Sequence, residues 1–177
     1  DMMAKERLSE VSLVSDEERG ELLALSRGET LICDARQTWL DLFLENVNRI
    51  PEKSAVVDSE GSYTYRELDQ ASDTIAAFLR AHGVANNSFV AVRMGRVKAF
   101  VAAVIGIHKA GAAYLPIDLD YPEERVRYML SDSGAKLVLT EDKAAEILST
   151  KPDSAAFDDR PGIRPDQLAY MIYTSGS

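Results

Sequence analysis

Helical and strand-like patterns alternate at short intervals from Leu31 onward, and this alternation predicts an α/β fold layered around a largely parallel sheet. Two further observations support that class. Gly83, Gly111, Gly134 and Pro51 punctuate the alternation where segments should end. Hydrophobic residues make up 46% of the 177-residue chain and charged residues 28%, a balance that permits a buried core.

The elements follow in order. Ser15-Asp16-Glu17-Glu18 is a capping box that opens a short helix to about Leu25, with Arg27-Gly28 as its close. Residues 1–30 are charged and hold few apolar anchors, so they read as a linker or surface segment ahead of a unit spanning 31–177. A second helix over 39–49 places Leu40, Phe43, Leu44, Val47 and Ile50 at helical spacing, with Trp39 and Phe43 as its anchors and Pro51 as its stop. Residues 53–58 predict a strand, 59–62 a hairpin turn and 63–65 the return. Thr64 and Glu67 form a capping box for a long amphipathic helix whose Leu68, Ala71, Ile75, Leu79 and His82 share one face.

Residues 89–94 predict the next strand. The helix marked by Val97, Phe100, Val101, Val104, Ile105 and His108 has a flank thinned by Ala99, Ala102, Ala103 and Gly106, so a neighbour can approach closely. Lys109-Ala110-Gly111 reads as its ending, with a cation beside the last carbonyls. A strand over 113–117 leads to Asp118 and Asp120, expected caps of a helix beginning near Pro122 that turns Val126, Met129 and Leu130 inward. Arg125 and Arg127, alternating with Glu123 and Glu124, read as a solvated face. A strand over 136–140, a short helix over 142–149 and a Pro/Asp/Arg-rich loop over 150–167 complete the series. Residues 168–173, rich in β-branched and aromatic types, predict a buried strand.

Charge and cysteine content narrow the function. The formal net charge is −9, from 29 acidic and 20 basic residues, which opposes binding to nucleic acid. Cys33 is the only cysteine, so neither an internal disulfide nor a Cys-rich metal site forms, and His82 and His108 read as packed or helix-end histidines. No apolar stretch reaches a membrane span and residues 1–6 lack the apolar core of a signal peptide, so a cytoplasmic chain with no membrane partner is expected.

Beyond the last predicted strand stand Thr174, Ser175, Gly176 and Ser177, with little bulk, three hydroxyls and a glycine free to take positive φ. Their consecutive N–H groups could turn toward one anion, and a phosphate suits such a turn. An ordinary polar loop after a strand has the same composition.

Three ordered blocks resemble the adenylation domains of nonribosomal peptide synthetases, within the adenylate-forming superfamily. They are Tyr63-Thr64-Tyr65-Arg66-Glu67-Leu68, then His108-Lys109-Ala110-Gly111-Ala112-Ala113-Tyr114-Leu115-Pro116-Ile117-Asp118, and finally 168–177. Tyr63 and His108 stand where the family usually has leucine. Tyr121-Pro122-Glu123-Glu124-Arg125 and Tyr128-Met129-Leu130 also look like the amino-acid-activating branch.

The resemblance implies an enzyme that uses ATP and Mg2+ to form an aminoacyl-adenylate, then loads it on the phosphopantetheine arm of a carrier protein. It implies that 1–30 follows a condensation domain, that a small accessory protein is a possible partner, and that the remainder of the adenylation domain lies beyond Ser177. Thr174, Ser175, Gly176 and Ser177 then match the ATP phosphate contacts. The catalytic lysine and the metal-holding acid belong to downstream sequence, so no catalytic residue and no metal ligand is assigned here. The isolated segment is expected to be inactive. An acyl- or aryl-CoA ligase of the same superfamily and a non-catalytic interaction domain are the alternatives.

Overall fold

A computed structural model describes residues 13–29, 34–150 and 164–174, and divides the chain into two units, Asp1–Asp34 and Ala35–Ser177. The first unit contains α1 (Asp16–Leu25), closed at its N-terminus by the expected Ser15/Glu18 capping box. Its C-cap is Ser26, ahead of the Arg27-Gly28 pair that the sequence suggested, and none of its residues is buried. Cys33 lies outside the described residues.

The second unit runs α2 (Trp39–Arg49), β1 (Ser54–Asp58), β2 (Gly61–Thr64), α3 (Tyr65–Ala81), β3 (Phe89–Arg93), α4 (Lys98–Lys109), β4 (Ala113–Pro116), α5 (Glu123–Ser133), β5 (Leu137–Thr140) and α6 (Glu141–Ser149). β1 and β2 form the expected antiparallel hairpin, while β4, β3 and β5 form a parallel sheet in that order. Thr38 with Asp41 and Thr64 with Glu67 make reciprocal caps, so the starts of α2 and α3 are written in their sequences.

Period-two alternation sorts the sheet side chains into two layers. Val90, Val92 and Leu139 face the core built with α2, α3, α4 and α6. Ala91 and Leu115 face Val126 and Met129 of α5. Leu130 is only partly buried on that second face.

The thinned flank of α4 meets α3. A Cβ built on Gly106 would lie 2.8 Å from Ile75 Cβ and 2.8 Å from the Ser72 carbonyl oxygen, which leaves hydrogen as the only side chain that fits. Three residues later, Lys109 departs from its expected role. Its side chain is 2% exposed and its Nζ donates to Asp69 Oδ1 at 2.6 Å, Asp69 O at 3.0 Å and Asp73 Oδ1 at 2.8 Å. The ammonium therefore ties α4 to α3 and leaves the α4 carbonyls alone, because two acids one helical turn apart on α3 satisfy all three of its protons. The α4 end is closed by Gly111, at φ +81°.

The expected strand over 168–173 is reduced to one parallel bridge, Tyr114 to Tyr170. Two backbone bonds frame it, Tyr114 N to Ala169 O at 3.2 Å and Met171 N to Tyr114 O at 3.0 Å. β4 is a short strand, and the tail pairs with it along this one residue before diverging. The Gln167 side-chain amide donates to Gly111 O, and His108 Nε2 lies 2.7 Å from Ala169 O. His108 is 7% exposed, and its Nδ1 is buried without a hydrogen-bond partner. Burial lowers its pKa, against a smaller upward push from the Ala169 carbonyl. His82, by contrast, is exposed and stacks on Phe78 at 3.9 Å.

Asp118 and Asp120 do not cap α5. Pro122 is the N-cap, without a side-chain bond, and Asp118 Oδ1 accepts from Asp120 N within its own turn. The expected solvated face is present: Glu123, Glu124, Arg125 and Arg127 are all exposed, and Glu123 pairs with Arg93 at 2.8 Å while remaining in solvent.

Two outcomes follow from the α3–α4 contact. Gly106→Ala should lower the unfolding free energy by about 1–2 kcal/mol, since overpacking against backbone outweighs the helix-propensity gain of alanine. Lys109→Met should cost about 3–5 kcal/mol by leaving two facing carboxylates without their cation. Urea denaturation at neutral pH measures both, and a wild-type midpoint for Gly106→Ala would mean that α3 and α4 sit further apart. For His108 the folded state binds fewer protons than the unfolded one, so its contribution is complete above about pH 6.5 and is lost as pH falls below that value. His108→Leu is expected to reduce the drop in urea midpoint between about pH 7.5 and pH 5.5.

Candidate functional site

In an open parallel sheet, successive strands that send their helices to opposite faces leave a crevice at their C-terminal ends. β3 runs into α4, which packs with α3 on one face, and β4 runs into α5 on the other. The divergence opens a crevice of about 680 Å³ lined by Met94 and Arg96 after β3, Ile117 and Asp118 after β4, and Ile172 and Tyr173 of the tail.

The crevice walls are fixed from several directions. Gly95 N donates to Glu141 Oε1 at 2.8 Å, which holds the turn after β3 against the start of α6. Lys98 N, in the first turn of α4, donates to Asp58 Oδ2 at 2.8 Å, so an acid from the β1–β2 hairpin replaces the side-chain cap that Val97 cannot provide. Hydrogen bonding, first of all from that backbone N–H, holds the Asp58 carboxyl below its usual range. Arg96 is exposed at the crevice and makes no ion pair with any other described residue.

The tail enters along the outer edge of β4. Met171 and Tyr173 pack toward the α5 layer, and Ile172 remains exposed. The Tyr173 hydroxyl donates to Asp132 Oδ2 at 2.5 Å, and its ring meets Tyr128 edge-on with centroids 6.1 Å apart. Desolvation first, and the Asp132 bond second, push the Tyr173 phenol up to about 12, so it stays a neutral donor at physiological pH.

Of the four residues that the sequence marked for phosphate, Thr174 is described: it is exposed and directly follows Tyr173, which lines the crevice. Ser175, Gly176 and Ser177 lie outside the described residues. Sequence reasoning missed Arg96, Tyr173 and Asp132. A basic residue just past a strand end was the available signal for Arg96; the Tyr173–Asp132 pairing spans 41 residues and left none. Among the described residues no group of three or more His, Cys, Asp or Glu could hold a metal ion, and no helix is long and apolar enough to cross a membrane.

Known proteins share this arrangement. The family model described as AMP-binding enzyme matches residues 43–177. Gramicidin S synthase 2 of Brevibacillus brevis is 35% identical over 182 residues, covering 97% of this chain and 4% of that protein. Bacitracin synthase 3 of Bacillus licheniformis is 40% identical over 179 residues, covering 96% of this chain and 3% of that protein. The AMPPNP-bound crystal structure of the nonribosomal peptide synthetase FmoA3 superposes with a TM-score of 0.73 at 31% identity, over 91% of this chain and 18% of that one. The chain thus spans only a small part of the proteins it matches. The family match over residues 43–177, on a parallel sheet with a crevice at its strand ends, places this chain in the AMP-binding enzyme family.

Proposed function

We propose that this chain is the N-terminal part of an adenylation core, 31–177, in an enzyme that activates an amino acid with ATP. In that reaction a carboxylate oxygen of the amino acid attacks the α-phosphorus, the bond to the β,γ-pyrophosphate breaks, and aminoacyl-adenylate and pyrophosphate result. The acyl group then passes to the phosphopantetheine thiol of a carrier protein. Residues 1–30 serve as the linker after a condensation domain, the setting is the cytoplasm, and a small accessory protein is a further partner.

The observation that carries this reading is where the tail emerges. Ile172 and Tyr173, which lead directly into Thr174, line the crevice between the diverging ends of β3 and β4, the place at which open α/β sheets take their ligands. The task of Thr174, Ser175, Gly176 and Ser177 is to offer hydroxyl and N–H donors to the phosphate oxygens, fixing the triphosphate for in-line attack. Arg96 adds a positive charge to the same crevice in a chain of net charge −9. Magnesium would neutralise phosphate charge. Its ligands are expected in the downstream sequence.

ATP–pyrophosphate exchange with a panel of amino acids tests the reading on the full-length protein that carries this chain. One amino acid, or a few related ones, should drive exchange, and Thr174→Ala should reduce it about tenfold, the scale of one hydrogen bond to a charged group. The 177-residue chain alone should give none. Exchange driven only by acids without an amino group would assign the protein to the acyl- or aryl-CoA ligases instead.

A further inference from the structure

His108 stands between α2, β4 and the tail and uses one of its two ring nitrogens. Its ring meets Trp39 of α2 edge-on with centroids 5.0 Å apart and Tyr114 of β4 at 5.8 Å, while Nε2 lies 2.7 Å from Ala169 O. A carbonyl oxygen only accepts, so Nε2 carries the proton of the neutral ring, and Nδ1 is left as a bare acceptor, buried and without a partner. An imidazolium fits this cage badly, because its second N–H would be buried with no acceptor.

The surroundings offer that N–H no acid. Beside His108 is a cavity of about 330 Å³ in which, among the described residues, Arg164 is the one charged side chain, and Asp166 holds it at 3.2 Å. The titratable group facing His108 from β4 is the Tyr114 phenol, backed by Tyr170, and α2 presents Trp39. Lys109, next on α4, turns away to Asp69 and Asp73. Water therefore has to reach Nδ1 for the ring to hold a charge, and the tail is the side of the cage that yields most readily. Leu40 and Phe43 of α2 are buried, whereas Leu168, Ala169 and Tyr170 are exposed and the tail bridges β4 at one residue.

We propose that His108 is a pH-sensitive latch on the tail: neutral, it holds Ala169 beside β4, and once protonated its uncompensated Nδ1–H drives the segment around Ala169 away from Tyr114. Burial lowers the pKa of the ring, which is the sign such a latch requires, since the closed form rejects a proton that the open form accepts. The leucine usual in the family at this position would fill the same space with no charge to change. The released segment runs on into Ile172 and Tyr173, so opening loosens one wall of the crevice. The latch is a property of the fold and holds whatever the crevice binds.

Hydrogen–deuterium exchange of the full-length protein, read by mass spectrometry and corrected for the intrinsic exchange rate at each pH, tests the latch. The peptide holding Met171, whose N–H donates to Tyr114 O, should lose about five- to tenfold in protection between about pH 7.5 and about pH 5.5, the most that one proton taken up near pH 6.5 can give. Peptides from the α3 core should keep theirs. His108→Gln, whose side-chain amide can donate to Ala169 O without titrating, and His108→Leu should both abolish the pH dependence. Equal protection of the tail at the two pH values, equal losses in tail and core, or an unaltered pH dependence in His108→Gln would each overturn the latch. Exchange of the imidazole C2 proton follows the charge of His108 in the same samples, and a ring that protonates in this range under a fully protected tail would overturn it too.

Discussion

The contact between α3 and α4, made by the Lys109 ammonium and the missing side chain of Gly106, is the constraint on which the second unit depends. α4 links β3 to β4, so its placement on α3 decides where these two strands stand. Its C-terminal end also anchors the tail: Gly111 O accepts from Asn87 N and from the Gln167 side chain, and His108 reaches Ala169. The path from a buried ion cluster to the tail's entry is thus a few residues long.

Charge burial at this contact is a matter of geometry more than of attraction. Desolvating an ammonium is costly, and two carboxylates offset that only when every proton finds an acceptor. Asp69 and Asp73 achieve this because they sit four residues apart on α3, one above the other, facing a lysine at the last residue of α4. A hydrophobic residue at 109 would lack the directional bonds that tie it to Asp69 and Asp73. A tighter steric limit comes from Gly106, where a single methyl group would meet backbone that cannot rotate aside.

Much of the fold was legible in local sequence because its punctuation is local. Capping boxes at Ser15/Glu18 and Thr64/Glu67 and the glycine after α4 act within a few positions, and the small residues on the α4 flank signal a close neighbour without saying which; the structure uses each as read. What escaped was tertiary. Lys109 looked like a helix-end cation because its partners lie 36 and 40 residues away. Asp118 and Asp120 looked like caps, but the turn took Asp118 for itself. The apolar run at 168–173 promised a full strand, yet only Tyr170 bridges to β4. At the crevice, Thr174 stood out through composition and family resemblance, whereas Arg96 and the Tyr173–Asp132 bond became visible only once the strands had placed them.

The central claim is that the segment starting at Thr174 is part of a cradle for the triphosphate of ATP. A crystal structure of the full-length protein with a non-hydrolysable ATP analogue addresses it most directly. The account predicts the Thr174 hydroxyl and the N–H groups of Ser175, Gly176 and Ser177 within about 3 Å of the phosphate oxygens, at ordinary hydrogen-bond distance. An analogue whose phosphates lie elsewhere, with those four residues turned to solvent, would contradict it.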